Sequence, residues 1–191
     1  MRIVARTMER FGRVDILVNN DGAPPLGRLD EFDDTAWDKA VQRNLMSVVR
    51  MVRQVIPPMR AAGGGRIVNI TALSALQPIV GFGLSVATWA GVIGFAKTLS
   101  REVGPYGITV NTICPGRIAT ERLEKVDGKR AADAGKDVGK LVEDLQQEIP
   151  LQRLGKPEDV AALVAFLVSS QASFITGVTI QIDGGRLGSL L

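Results

Sequence analysis

Four short stretches dense in aliphatic and β-branched residues stand between longer amphipathic ones: Val14–Val18, Arg66–Ile70, Ile108–Ile113 and Gly177–Ile182. Each is nearly continuous in apolar character rather than alternating, and the turn residues that bound them include Asn19-Asn20-Asp21-Gly22, Cys114-Pro115-Gly116 and Asp183-Gly184-Gly185. That pattern predicts strands buried on both faces. The intervening segments carry helical spacing. Arg2 to Phe11 reads as a helix stopped by Gly12. Asp33-Asp34-Thr35 can cap a long helix over Ala36–Met59, with Trp37, Val41, Leu45, Val48, Val49 and Val52 on its apolar side. A third helix is predicted over Gly83–Leu99 and a fourth over Pro157–Val168, which opens on the proline that a first helical turn tolerates. Strands alternating with helices predict an α/β fold, a doubly wound parallel sheet in three layers, its strands side by side in chain order.

Two segments interrupt this rhythm. Residues 121–153 hold 15 charged side chains of mixed sign in 33 positions, with few large apolar ones before Leu141. They read as a solvated, mobile segment, a lid rather than a core element. Gly63-Gly64-Gly65 precedes a strand instead of following one, so it reads as a flexible loop and not as a phosphate cradle.

Composition narrows the class. A chain of 191 residues with 46% apolar and 23% charged residues can bury the core of one domain and is neither disordered nor fibrous. Net charge +3 arises from 23 basic and 20 acidic residues with no basic stripe, so no nucleic-acid partner is expected. There is no His and a single Cys, which removes a His-based triad, a Cys/His zinc site and a disulfide scaffold; no metal site is predicted, and Cys114 reads as a small buried hydrophobe. Charges at Arg2, Arg6, Glu9 and Arg10 do not fit a secretory signal, and a cytoplasmic location is expected. Ile67–Ala96 contains no charged residue, but Asn69, Gln77, Pro78, Gly81 and Gly83 break it into strand, loop and helix, so no membrane span is predicted. The helix in that stretch is apolar all round, which suggests core on one face and a subunit interface on the other, hence a homo-oligomer.

Several stretches together resemble the short-chain dehydrogenases/reductases, the 3-oxoacyl-acyl-carrier-protein reductases in particular: GRVDILVNNDG from Gly12, Trp37 to Leu45, Gly65 to Ile70, Gly91 to Phe95, GITVNTICPGRIAT from Gly107, and Gly155 to Gly185. The resemblance covers nearly the whole chain. It implies an NAD(P)-dependent oxidoreductase acting on a small carbonyl or hydroxyl substrate, built as a dimer or tetramer. It also implies that the family's opening strand, its Gly-x-x-x-Gly-x-Gly turn and the next helix come before the segment with which this sequence starts. The sheet would then lack its first strands, leaving Val14–Val18 as an edge.

By the same resemblance, family catalysis uses an Asn, a Ser, and a Tyr followed four residues later by Lys, the Tyr acting as proton donor. With Gly91-Val92-Ile93-Gly94-Phe95 as anchor, Ser85 stands at the Tyr position, Trp89 at the Lys position and Ala72 at the Ser position, while Asn44 matches. Thr71 and Ser74 flank Ala72 and could supply a hydroxyl. The candidate catalytic residues are therefore Asn44 and Ser85. On the cofactor side the resemblance points to Asn19, Asn20, Gly22, Pro115, Gly116, Ile118 and Thr120. Two readings stay open: an oxidoreductase of doubtful activity, or a non-catalytic scaffold or oligomer partner of the same family.

Overall fold

The computed structural model describes residues 2–22 and 24–189. One parallel sheet runs β1 (Ile16–Asn20), β2 (Gly65–Ile70), β3 (Ile108–Pro115) and β4 (Thr179–Ile182), in that spatial order. Leu17 pairs with Ile67, Ile67 with Val110, and Ile113 with Ile180. The strands thus lie side by side in chain order, as the sequence pattern predicts.

Alternation along the two central strands divides the core. Ile67 and Val110 pack with Val4 of α1 (Arg2–Phe11), Val52 and Val55 of α3 (Ser47–Ala61) and Val92 of α4 (Gly83–Val103). Val68, next to Ile67, and Ile113, three residues after Val110, point to the other face and cluster with Leu167 of α7 (Pro157–Val168). This gives the expected three layers. The second layer is thinner: among the twelve residues of α7 only Leu167 is buried. On β1, Leu17 is covered, whereas Ile16 and Val18 are 47% and 41% exposed. β1 is an edge of the described sheet. No described helix is long and apolar enough to cross a membrane.

Two local expectations change, and a third segment gains internal structure. The helix expected over Ala36–Met59 runs from Asp34 to Ala61 but is not uniform: α2 (Asp34–Ala40) passes into a π-helical stretch, Val41–Met46, before α3. The Asp33 carboxylate caps α2 by accepting from the Ala36 N–H at 2.8 Å. The extra residue in the wide turn carries Asn44 inward to 1% exposure, where its Nδ2 donates to Thr88 Oγ1 of α4 at 3.0 Å.

Gly63–Gly65 is a built turn rather than a flexible loop. Gly64 N–H bonds back to the Met59 carbonyl at 2.9 Å, and a Cβ on Gly107, itself at φ +72°, would stand 2.9 Å from the Gly63 carbonyl. Two backbones cross here at a spacing no side chain fits.

Residues 121–153 contain two capped helices, α5 (Glu121–Ala134) and α6 (Val138–Gln147). Thr120 and Asp137 accept N-terminal amides, and Gly135 at φ +61° ends α5. Ala131, Leu141 and Leu145 form a small core of their own. Mixed charge hid this because the apolar positions are few but helically spaced.

Candidate functional site

The strands end together. Asn20, Ile70 and Pro115, the last residues of β1, β2 and β3, border a cavity of about 860 Å³ closed on its other sides by α5 and α7. In a parallel sheet with helices on both faces, ligands bind in this crevice beyond the carboxyl ends of the strands.

The exit turn of β3 forms one wall. A Cβ on Gly116 would stand 2.7 Å from the Asp183 Cβ, so the glycine lets β3 and the segment after β4 touch. Arg117, next in the turn, is 5% exposed and makes a two-pronged contact with Asp127 of α5: Nη1 to Oδ1 at 3.1 Å and Nη2 to Oδ2 at 2.7 Å. Asp127 is 4% exposed. This buried pair ties the charged segment to the sheet.

The end of β1 forms the opposite rim. Asp21 accepts from the Gly22 N–H at 2.6 Å and faces Arg43 Nε at 3.6 Å, and a Cβ on Gly22 would stand 2.5 Å from Arg43 Nη2. The Asp21 charge, which would oppose a dinucleotide, is therefore balanced by Arg43.

After β2, Thr71 and Ser74 both line the cavity. Thr71 Oγ1 bonds the Ile113 carbonyl at 3.2 Å and contacts Cys114 Sγ at 3.1 Å. Ser74 is 4% exposed, and its Oγ has no partner. Of the two hydroxyls flanking Ala72, the geometry leaves Ser74 available. Cys114 is fully buried, and that burial pushes its thiol pKa up against the smaller lowering effect of Thr71.

Of the residues singled out from the sequence, Asn20, Gly22, Pro115, Gly116, Ile118 and Thr120 converge on the cavity. Asn19 instead donates sideways to Asn69 Oδ1 at 2.8 Å. Asn44 and Ser85 are each 1% exposed and do not border the cavity; Asn44 Oδ1 and Ser85 Oγ are both without hydrogen-bond partners among the described residues. Trp89, one helical turn after Ser85, lines the cavity with an 8% exposed ring. Asn44, Thr88 and Ser85 are buried together with Trp89, but of the four only Trp89 borders the cavity.

Sequence reasoning missed four arginines in the lining: Arg117, Arg122, Arg130 and Arg186. Arg122, Val126 and Arg130 recur at a spacing of four on α5, a helical stripe that the charge count of the segment obscured. Arg186 is carried into the wall by Asp183, whose carboxylate accepts from the Gly185 and Leu187 amides at 2.9 and 2.8 Å.

A family model described as enoyl-(acyl carrier protein) reductase matches residues 1–186. The chain is 35% identical over 183 residues to the 3-oxoacyl-[acyl-carrier-protein] reductase FabG of Staphylococcus epidermidis, covering 96% of this chain and 70% of that protein. It is 36% identical over 183 residues to the acetoacetyl-CoA reductase of Shinella zoogloeoides, covering 96% and 72%. Among solved structures, actinorhodin polyketide ketoreductase with NADPH superposes with a TM-score of 0.93 at 34% identity, over 98% of this chain and 73% of that one. An NADPH-dependent reductase involved in bacilysin biosynthesis gives 0.92 at 29% identity, over 99% and 73%. The chain belongs to the short-chain dehydrogenase/reductase family and is similar to its 3-oxoacyl-acyl-carrier-protein reductases.

Proposed function

We propose that this chain takes the reactive end of a nicotinamide cofactor and a small carbonyl or hydroxyl compound into the cavity at the strand ends, with chemical turnover held low by the lack of a proton donor there. One observation carries the reading: among the described residues, the ionisable side chains that line the cavity are Asp21 and four arginines, with no Tyr or Lys. An arginine stays protonated at neutral pH and cannot donate, and Asp21 is engaged by Arg43. Ser85 is buried without a base or cation beside it, and an unassisted hydroxyl is a poor acid.

The residues present fit the cofactor's reactive end. The Pro115–Ile118 turn borders the cavity, and the unpartnered Ser74 Oγ offers a hydrogen bond to a ligand oxygen. A nicotinamide, when bound, supplies or accepts the hydride. Ser74 would orient the substrate oxygen, Trp89 and Ile118 would exclude water, and Asn20 would meet the ribose side. The fit stops at the diphosphate: among the described residues, no glycine-rich turn joining a strand to a helix N-terminus borders the cavity. Binding of the whole dinucleotide is accordingly weak.

The test is titration with NADH and NADPH followed by turnover of an acetoacetyl substrate. Binding no tighter than millimolar and no measurable reduction are expected. Returning the family residues, as Ala72→Ser, Ser85→Tyr and Trp89→Lys together, should raise the rate by about 10²- to 10⁴-fold if acid–base catalysis is what the chain lacks. Micromolar NADPH binding with ordinary turnover by the unaltered chain would refute the proposal.

A second reading, a non-catalytic scaffold or oligomer partner, is favoured by the open edge at Ile16 and Val18. Unpaired strand edges recruit cover, and residues 121–153 would then act as the lid over a binding cavity rather than over a reaction. Light scattering across a dilution series tests the self-association this requires.

A further inference from the structure

The arginines of the cavity wall are not equivalent. Arg117 spends its two Nη groups on Asp127, and Arg186 pairs with Glu148. Arg122 donates only to the Pro24 carbonyl, at 3.1 Å, and Arg130 has no hydrogen bond, ion pair or ring contact among the described residues. Both stand on α5 with Val126 between them, on the stripe that faces the cavity. The one carboxylate among the described lining residues, Asp21, is held by Arg43 at the far rim. Two guanidinium groups therefore face a cavity whose remaining wall is mostly apolar, including Phe82, Trp89, Ile118 and Val160. An arginine presents several N–H donors in a planar fork suited to carboxylate and phosphate oxygens. Arg122 is exposed and Arg130 half-buried, so without a ligand both guanidinium groups are left to water at the cavity mouth, with donors free for a ligand anion.

We propose that Arg122 and Arg130 form the anion subsite of this cavity, so that its substrate is a carbonyl or hydroxyl compound with an apolar body and a terminal carboxylate or phosphate. This rests on the reading of the cavity as a ligand site and adds the substrate class. The apolar body lies along Val126 and the facing wall, and the anion sits on α5. The reacting oxygen is then left toward Ser74.

The test reads binding, not turnover. Trp89 reports from the cavity wall once Trp37 is replaced by Phe, so levulinate and its methyl ester, one anionic and one neutral ketone, can be titrated by fluorescence at low salt. Levulinate should bind roughly 10- to 100-fold tighter than the ester, and Arg130→Gln should remove that difference. Arg122→Gln should reduce it, with Arg101→Gln on the exposed part of α4 as a control that leaves it unchanged. Arg130 makes no hydrogen bond or ion pair among the described residues, so its variant folds even if the loss of the Pro24 contact harms the other. Equal affinity for acid and ester overturns the anion subsite while leaving the cavity as a ligand site, and so does preference for the acid that survives both substitutions. Binding of neither overturns the cavity reading itself. Inorganic pyrophosphate separates the other source of anion: if pyrophosphate binding, but not levulinate binding, depends on Arg122 and Arg130, they belong to a cofactor diphosphate and the substrate proposal fails.

Discussion

Cutting the contact between Arg117 and Asp127 should unfold the chain far more readily than any change to its many exposed charges. Both side chains are about 5% exposed or less, and two parallel hydrogen bonds, at 3.1 and 2.7 Å, join them. Arg117 Nε is already buried without a partner, so the guanidinium has no second acceptor to turn to. Asp127→Ala would leave a buried cation alone, a defect that costs about 3–5 kcal/mol. Against a total stability of about 5–15 kcal/mol, that is a large fraction. With a urea dependence near 3 kcal/mol/M, it lowers the unfolding midpoint by about 1–1.7 M. The assay is urea denaturation followed by far-UV circular dichroism on Asp127→Ala, Arg117→Met and the double variant. The double variant should lose less than the sum of the singles, since the cost lies in the orphaned charge and not in the missing attraction. Amide exchange should accelerate first in α5, which the pair fastens to the exit of β3. Single variants within about 0.5 kcal/mol of the parent would place them with ordinary surface changes and refute the argument.

The Asp159 carboxyl at the start of α7 accepts from Arg153 Nη1 at 2.8 Å and from the Lys156 amide at 2.7 Å, and these contacts hold its pKa down to about 2. A carboxyl whose pKa is lowered on folding contributes stability that is present above the ordinary carboxylate value and is lost as pH falls toward 2. A carboxyl-shift titration by NMR should therefore place Asp159 near 2, and Arg153→Gln should move it up; a midpoint near 4 in the unaltered chain would contradict the contacts. Cys114, fully buried with its thiol pKa raised, should ignore a thiol reagent in the native protein at pH 8 and react completely in denaturant. Fast labelling of the folded chain would show that β3 opens locally.

Much of the fold was legible because it follows from one-dimensional rules. Continuous apolar runs mark strands buried on both faces, and these alternate with helices, so strand number, strand order and the three layers could be read before any contact was known. Pro157 and Gly12 mark ends that the chain uses as written. The π-helical turn at Val41–Met46 was not readable, because its cause is a partner, Thr88, forty-four residues away. The two helices within residues 121–153 were not legible for a related reason: a helix that hides only a few residues against its neighbours carries little apolar signal, and its buried Asp127 makes sense only with Arg117 opposite.

The candidate site divides the same way. Local sequence determined the turns at the strand ends, and hence that Asn20, Gly22 and Pro115–Thr120 would gather around one crevice, since parallel strands must all finish on the same side. Which hydroxyl is free, whether Ser85 borders the crevice, and which of four arginines lack a counter-charge were decided only in three dimensions. Burial and pairing depend on what packs opposite a side chain, and no spacing along the chain encodes that.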